Sequence, residues 1–291
     1  RPEDIGYKAL AVNLSDLAAA GAIPRAFFLT IGLPVRDDAW LAGFTKGMTE
    51  LSRQAGCPLL GGDTTRTAKV GDIHAPVTIS ITAMGELPQS MGLTRAGARP
   101  GDDIWVSGCV GGAWAALMHR WGKLTLDARV FPSAALAMDR PNPRNALGTA
   151  LLSSATACAD ISDGLAQDLG HILERSGVDA DVLWDAVPKH PALAALSQEQ
   201  QVEAAMSGGD DYELVFTAPA DKRGLIEQAS ISALTPVTRI GRIIEKKQSG
   251  APLAIRDASG RPLFLPVQGF DHFAQGADLS LIHISEPTRH A

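Results

Sequence analysis

The sequence predicts a mixed α/β protein, and three observations carry the prediction. Apolar residues at helical spacing alternate along the chain with short runs rich in β-branched residues, the pattern of helices layered on sheets. The 291 residues suffice for two modest domains, and 45% hydrophobic with 20% charged residues is an ordinary globular balance. Aspartates beside small residues mark the points where the pattern breaks or turns: Asn13-Leu14-Ser15-Asp16, Gly61-Gly62-Asp63-Thr64-Thr65-Arg66, Asp160-Ile161-Ser162-Asp163-Gly164 and Ser207-Gly208-Gly209-Asp210-Asp211-Tyr212.

Tyr7, Leu10, Leu14 and Leu17 share one helical face, with Asn13, Asp16 and Ala20 off it, and Gly21 and Pro24 end that helix. Residues 26–33 read as a buried strand. Asp37-Asp38 opens a helix to about Gln54, which Gly56 stops. Residues 58–60 form a short strand feeding a turn at Gly61-Gly62-Asp63. Val77, Ile79 and Ile81 alternate with Thr78, Ser80 and Thr82, a half-buried strand over 77–84. Gly, Pro, Arg and Ser gather over 85–101, so a domain of residues 1–88 is expected to give way there to a second over 89–275.

Beyond that boundary, a strand over 103–106 leads through Gly108-Cys109-Val110-Gly111-Gly112 into a helix ending near Trp121. No Gly-Lys-Ser/Thr follows those glycines, and their spacing is not that of a dinucleotide fingerprint, so a turn before a helix is expected. Asp160–Asp163 sits between a strand and a helix over 165–175, with Ser162 or Asp163 expected as its N-cap and Gly177 as its stop. A helix ending at Met206 and a strand over 212–217 flank the last acidic segment. The two Gly-Gly-Asp segments differ too much around them to be an internal repeat.

A net charge of −6 offers no basic stripe to neutralise phosphates, which excludes a nucleic-acid surface. Three cysteines without C-x-x-C spacing fit reduced thiols and a cytoplasmic location. No apolar run has membrane-spanning length and no signal peptide is visible. The histidines show no zinc-type pairing: His171 lies in an amphipathic helix, and His74, His119 and His190 fall in turn or surface patterns. Trp40, Trp105, Trp114, Trp121 and Trp184 read as core or interface anchors.

The aspartates carry the chemistry. One Asp beside Gly or Ser is ordinary turn and cap chemistry. Several together are costly, since two unit charges ~4 Å apart repel by about 4 kcal/mol at a surface-like dielectric. A divalent cation removes that penalty, and Mg²⁺ is the ion that bridges one or two carboxylates to substrate phosphates. Four such segments therefore point to a Mg²⁺–nucleotide site assembled from distant parts of the chain.

The stretch Leu10-Ala11-Val12-Asn13-Leu14-Ser15-Asp16-Leu17-Ala18-Ala19, the Gly-Gly-Asp-Thr-Thr-Arg segment, Ile161-Ser162-Asp163-Gly164-Leu165 running to Asp168-Leu169-Gly170-His171-Ile172, and Gly-Gly-Asp-Asp-Tyr-Glu-Leu together resemble the thiamine-monophosphate kinase family. The match in order and spacing runs from about Tyr7 to Phe273, and that family belongs to the aminoimidazole-ribonucleotide synthetase superfamily. The resemblance implies a two-domain fold: an N-terminal domain whose sheet forms a barrel across a homodimer, and a C-terminal α/β domain packed against it. It also implies a direct, in-line transfer from ATP to thiamine monophosphate, giving ADP and thiamine diphosphate with several Mg²⁺ ions and no covalent nucleophile.

By the same resemblance, Asp16 and Asp160 bind Mg²⁺, Asp63 binds another while its turn approaches ATP, and Asp163 completes a metal site. Gly62 contacts nucleotide through its backbone, Ser162 touches an ATP phosphate, and Arg95 is an ATP-contacting arginine. Asp210 stands where relatives often carry a glutamate that contacts the thiamine moiety, and Phe270 matches an aromatic that stacks on the thiamine ring. Capping explains Asp163 equally well from the residues alone, as a surface position does Arg95 and a core position Phe270.

The ends carry expectations too. The chain begins at Arg1, where the resembled family has a further segment with a Gly-Asp-Asp turn and a Thr-Asp strand that supply metal ligands. A shortened, weakly active or inactive chain is therefore expected, with residues 276–291 a non-native tail. Two other readings remain open on sequence: another ATP-dependent synthetase of the superfamily, including a selenophosphate synthetase, and a non-catalytic protein that binds nucleotide or thiamine phosphate.

Overall fold

A long helix, α1 (Pro2–Ala19), opens the chain, with proline in its first turn and Glu3 and Asp4 at the positive end of its dipole. The computed structural model describes residues 1–71, 73–88 and 92–263. There follow β1 (Ile23–Leu33), α2 (Asp38–Gln54), β2 (Leu59–Arg66), the two-residue strands β3 (Lys69–Val70) and β4 (Ile73–His74), and β5 (Thr78–Glu86). The Asp37 carboxylate caps α2 by accepting from the Trp40 amide at 2.9 Å. Strand β1 is the centre of a three-stranded sheet, parallel to β2 and antiparallel to β5.

The second half contains β6 (Asp103–Ser107), α3 (Gly112–Arg120), α4 (Phe131–Asp139), α5 (Asn145–Leu151), β7 (Ala157–Asp160), α6 (Leu165–Ser176) and β8 (Asp179–Leu183). After these come α7 (Gln198–Val202) and a π-helical turn (Glu203–Ser207). The last elements are β9 (Leu214–Ala218), α8 (Arg223–Ser232), β10 (Val237–Ile244) and β11 (Leu253–Arg256). The six strands run in the order β11-β8-β10-β6-β9-β7, antiparallel except for the β11–β8 pair. The fold is thus the mixed α/β layering that the sequence predicts.

Three apolar clusters divide the interior. Tyr7, Leu10 and Leu14 of α1 pack with Phe44, Met48 and Leu51 of α2 against Phe27, Leu29 and Ile31 of β1. One face of the six-stranded sheet packs on α3 and α6. A third cluster joins Ala18 and Ala19 of α1 to Leu147 and Leu151 of α5, Ile226 of α8, and Trp105 and Phe216 of the large sheet. Helix α1 therefore belongs to two cores at once. Its burial extends beyond the expected face to Asn13, whose side-chain amide donates to the Ala9 carbonyl at 2.9 Å and so carries no unpaired donor into the core.

Several local expectations are corrected. Residues 61–63 lie inside β2 rather than in a turn after it. The β1–β2 register slips between Phe27 and Phe28, where Leu60 is the extra residue, and two residues on Gly62 pairs with Leu29 at φ 147°. A Cβ there would lie 1.8 Å from the Leu29 carbonyl oxygen, so only glycine fits. The N-cap of α6 is Gly164, without a side-chain cap, instead of Ser162 or Asp163. The helix ahead of Gly208 runs one residue past Met206 and closes as a π turn, and Tyr212, at φ 53°, precedes the strand rather than starting it. Trp121 is 40% exposed, whereas Trp105, Trp114 and Trp184 are buried. Among the described residues, no helix is long and apolar enough to cross a membrane.

Candidate functional site

The acidic segments of the second half meet as two interlocked loops. Strand β7 ends at Asp160, and the chain runs on through Ile161–Gly164 into α6; the 208–213 loop lies directly against it. Ile161 donates its amide to the Glu213 carbonyl at 2.8 Å, Tyr212 returns one to the Ile161 carbonyl at 2.8 Å, and Asp210 donates to the Ser162 carbonyl at 2.7 Å. The approach is too close for a side chain at Gly209, since a Cβ there would stand 2.5 Å from the Ser162 carbonyl oxygen. Asp210, at φ 63°, and Tyr212 hold left-handed conformations that non-glycine residues seldom adopt, so the surrounding bonds hold this loop against its intrinsic preference.

Carboxylates that sequence reasoning did not single out build the scaffold of these loops. Asp168, buried on the first turn of α6, accepts the amides of both Ser162 and Asp163 at 3.0 Å. Those bonds tie the chain leading into α6 to the helix itself, while the amides of its first turn receive no side-chain cap from the N-cap Gly164. Asp211 accepts the Gly111 amide at 2.9 Å, which docks the glycine-rich turn before α3 onto the acidic loop. Burial pushes the Asp211 carboxyl well above the ordinary 3.8, against the Gly111 amide that favours its charged form. Glu213 is buried and forms a bidentate pair with Arg144, while the Ser107 hydroxyl donates to it and accepts the Leu214 amide. Burial, reinforced by the charges of Glu213 and Asp211, pushes the nearby Cys109 thiol up to about 11. Cys109 is therefore held as a thiol, which makes it a poor nucleophile.

Helix α1 reaches this region directly. Ser15, buried, donates its hydroxyl to Asp160 Oδ2 at 2.9 Å, across 145 residues of sequence. Asp16, next on the helix, is half-buried, while Asp160 is 2% exposed. Lys8, seven residues earlier on α1, pairs with Asp210. Asp163 is half-buried and receives a side-chain bond from Gln167 at 3.3 Å.

Arg95, His171, Glu174 and Arg175 line an open cavity of about 620 Å³ beside α6. The Arg95 Nε is buried and has no hydrogen-bond partner among the described residues. His171 is pushed down from 6.5, first by burial and then by the Arg95 charge, with Asp163 pulling the other way. It is therefore neutral at pH 7, and Arg95 and Asp163 both lie within electrostatic reach of it. Such a cavity, walled by two guanidinium groups, suits a polyanion.

Gly62 and Asp63 stand apart from the interlocked loops. They occupy the edge strand β2, with Leu29 and Thr30 of β1 as register partners, and both are exposed. Phe270 lies outside the described residues, as does the tail over 276–291. Among the described residues, no group of three or more His, Cys, Asp or Glu side chains could hold a metal on its own. Asp16, Asp63, Asp160 and Asp163 are thus not gathered into one cage. Oxygen donors spread in ones and twos fit Mg²⁺, which takes one or two carboxylates and completes its shell with water and phosphate.

Comparison with known proteins places this geometry in context. The family of AIR synthase related protein N-terminal domains matches residues 1–87, and that of the C-terminal domains matches residues 99–253. The thiamine-monophosphate kinase of Escherichia coli K12 is 39% identical over 275 residues, covering 94% of this chain and 81% of that protein. The crystal structure of thiamine-monophosphate kinase from Stenotrophomonas maltophilia K279a superposes with a TM-score of 0.80 at 42% identity, covering 88% of this chain and 79% of the other. The AaThiL structure, complexed with AMPPCP and TMP, superposes with a TM-score of 0.77 at 27% identity, over 94% of this chain and 81% of the other.

Proposed function

The chain belongs to the thiamine-monophosphate kinase family of AIR synthase related proteins, and we propose that it works through Mg²⁺ ions held between α1, the two interlocked loops and the edge strand β2. It is a kinase that transfers a phosphoryl group from ATP to thiamine monophosphate. The observation that carries the site assignment is the bond from Ser15 on α1 to the buried Asp160, which brings the first and third acidic segments together.

In this reading Asp16 and Asp160 hold one ion, Asp163 completes a metal site at the α6 entry, and Asp63 holds another ion. When bound, Mg²⁺ neutralises the phosphates and supports the attacking and leaving oxygens. The protein's own task is positioning, since phosphoryl transfer asks for little covalent chemistry from side chains. Asp168 fixes the Ser162 and Asp163 amides, and so holds the loop on which the half-buried Ser162 would meet a nucleotide phosphate. Arg95, with its Nε unpaired, gives the β- and γ-phosphates a guanidinium that no carboxylate has already claimed within the described residues. Gly62 lets its backbone come close to the nucleotide because it carries no side chain. Asp210 faces the thiamine moiety.

The N-terminal sheet supports a homodimer. Phe28, Leu60 and Met84, on the three strands of that sheet, are 40%, 62% and 42% exposed, and β2 presents an uncovered edge. Exposed apolar side chains beside an open strand edge need a partner to cover them. Light scattering should report twice the monomer mass.

The acceptor is tested by offering the protein ATP and Mg²⁺ with thiamine monophosphate, thiamine or a ribonucleotide amide in turn. Thiamine diphosphate and ADP should form in equal amounts from the first alone. Turnover only with the ribonucleotide amide would move the protein to another activity of the superfamily.

A further inference from the structure

Lys8 is the one α1 side chain described above that the acidic chemistry leaves unexplained. It sits two helical turns before Ser15, on the same side of α1, and reaches across to the other half of the molecule. Its Nζ donates to the Met138 carbonyl at 2.7 Å at the end of α4 and forms an ion pair with Asp210 Oδ2. The same nitrogen stands 5.9 Å from the centre of the Tyr212 ring. The side chain of Lys8 is 18% exposed and that of Asp210 is 38% exposed, so the pair lies at the surface of the site with the carboxylate more open than the ammonium.

The Met138 carbonyl anchors the ammonium independently of the loop, so Lys8 approaches Asp210 from a fixed direction. An aspartate carboxylate on a loop with Asp210 at φ 63° and Tyr212 at φ 53° would otherwise rotate freely about its short side chain. Lys8 holds Oδ2, and with the side chain 38% exposed the carboxylate keeps acceptor capacity for a ligand. An aminopyrimidine ring carries an exocyclic amine that donates to such an oxygen, and a hydrogen bond to a charged acceptor discriminates strongly when its direction is fixed.

We propose that Lys8 is a positioning residue for the acceptor substrate: it orients the Asp210 carboxylate toward the thiamine heterocycle and acts through that carboxylate without touching the transferred phosphoryl group. This rests on the reading that Asp210 faces the thiamine moiety. Lys8 therefore governs recognition of thiamine monophosphate and leaves ATP binding alone.

A double-mutant cycle with steady-state kinetics tests it. The unsubstituted protein is examined first for turnover and for binding of thiamine monophosphate: binding without turnover moves the comparison of variants from KM to dissociation constants, and no binding means that the acceptor assignment has failed before any variant is compared. Lys8→Met and Asp210→Asn should each raise the KM for thiamine monophosphate about tenfold or more, the worth of a charged hydrogen bond. The KM for ATP should stay within about twofold, and the double variant should be no worse than the worse single one. Lys8→Arg should recover most of the loss. Lys8→Gln, which still donates to the Met138 carbonyl, makes the same comparison should Lys8→Met fail to fold. Effects that multiply in the double variant, or a KM for ATP that rises as far as that for thiamine monophosphate, would overturn the proposal.

Discussion

The two halves of the site are built in opposite ways. The loops at 160–164 and 208–213 are locked to each other through backbone bonds, and the buried carboxylates of Asp168 and Glu213, with the half-buried Asp211, hold them in place. Asp63 has none of that support: it lies on an exposed edge strand whose neighbour β1 supplies only ladder bonds. The contrast teaches that an acidic residue does different work depending on what surrounds it. In the loops, Asp211 and Glu213 make structural bonds, while Asp163 and Asp210 are partly exposed. On β2, the Asp63 carboxylate is exposed, as a residue proposed for a ligand has to be.

Substitutions sharpen that difference. The largest effect on stability is expected at Arg144→Met, which leaves Glu213 buried without its cation and should cost about 3–5 kcal/mol in a denaturant titration. A loss below about 1 kcal/mol would mean the loops do not depend on that pair. Next, Asp160→Asn and Asp63→Asn should each lower turnover about a hundredfold or more, since a metal-bound carboxylate stabilises the transition state by several kcal/mol. Only Asp63→Asn should leave the unfolding midpoint in place, with a change within about 0.5 kcal/mol. Ser15→Ala removes the bond to Asp160 and should cost about 1–3 kcal/mol of stability together with part of the turnover.

The smallest effect lies outside the site, at Asp4. Burial would raise its carboxyl, but hydrogen bonds from Arg1 and Arg140 outweigh that and hold it at about 2 instead of 3.8. A carboxyl with a depressed folded value stabilises the fold above its unfolded value and loses that contribution as the pH falls toward 2. Asp4→Asn should therefore weaken the protein at pH 7 and flatten the fall in stability between about pH 4 and pH 2. An unchanged acid limb in the variant would remove Asp4 from that account.

Much of this was legible in the sequence because it depends on local pattern. The heptad-like spacing of Tyr7, Leu10 and Leu14, the Asp37 cap and the alternation over 77–84 are all decided by neighbours within a turn or a strand. The acidic segments could be found for the same reason. The irregular β2 register could not, because the bulge at Leu60 is set by pairing with Phe27 and Phe28, more than thirty residues away. The α6 cap was misread because Asp168 reaches back to the Ser162 and Asp163 amides and holds both residues ahead of the helix, which starts after Gly164. Partners such as Ser15 with Asp160, Lys8 with Asp210 and Arg144 with Glu213 are separated by 145, 202 and 69 residues, and no local signal announces them.

The central claim is that ions held by these carboxylates carry the reaction. It is tested most directly by following thiamine diphosphate formation from ATP and thiamine monophosphate while Mg²⁺ is titrated from chelated to saturating levels. No product should form under chelation, and the rate should rise with Mg²⁺, with a higher concentration required in Asp63→Asn. An undiminished rate under chelation would contradict it.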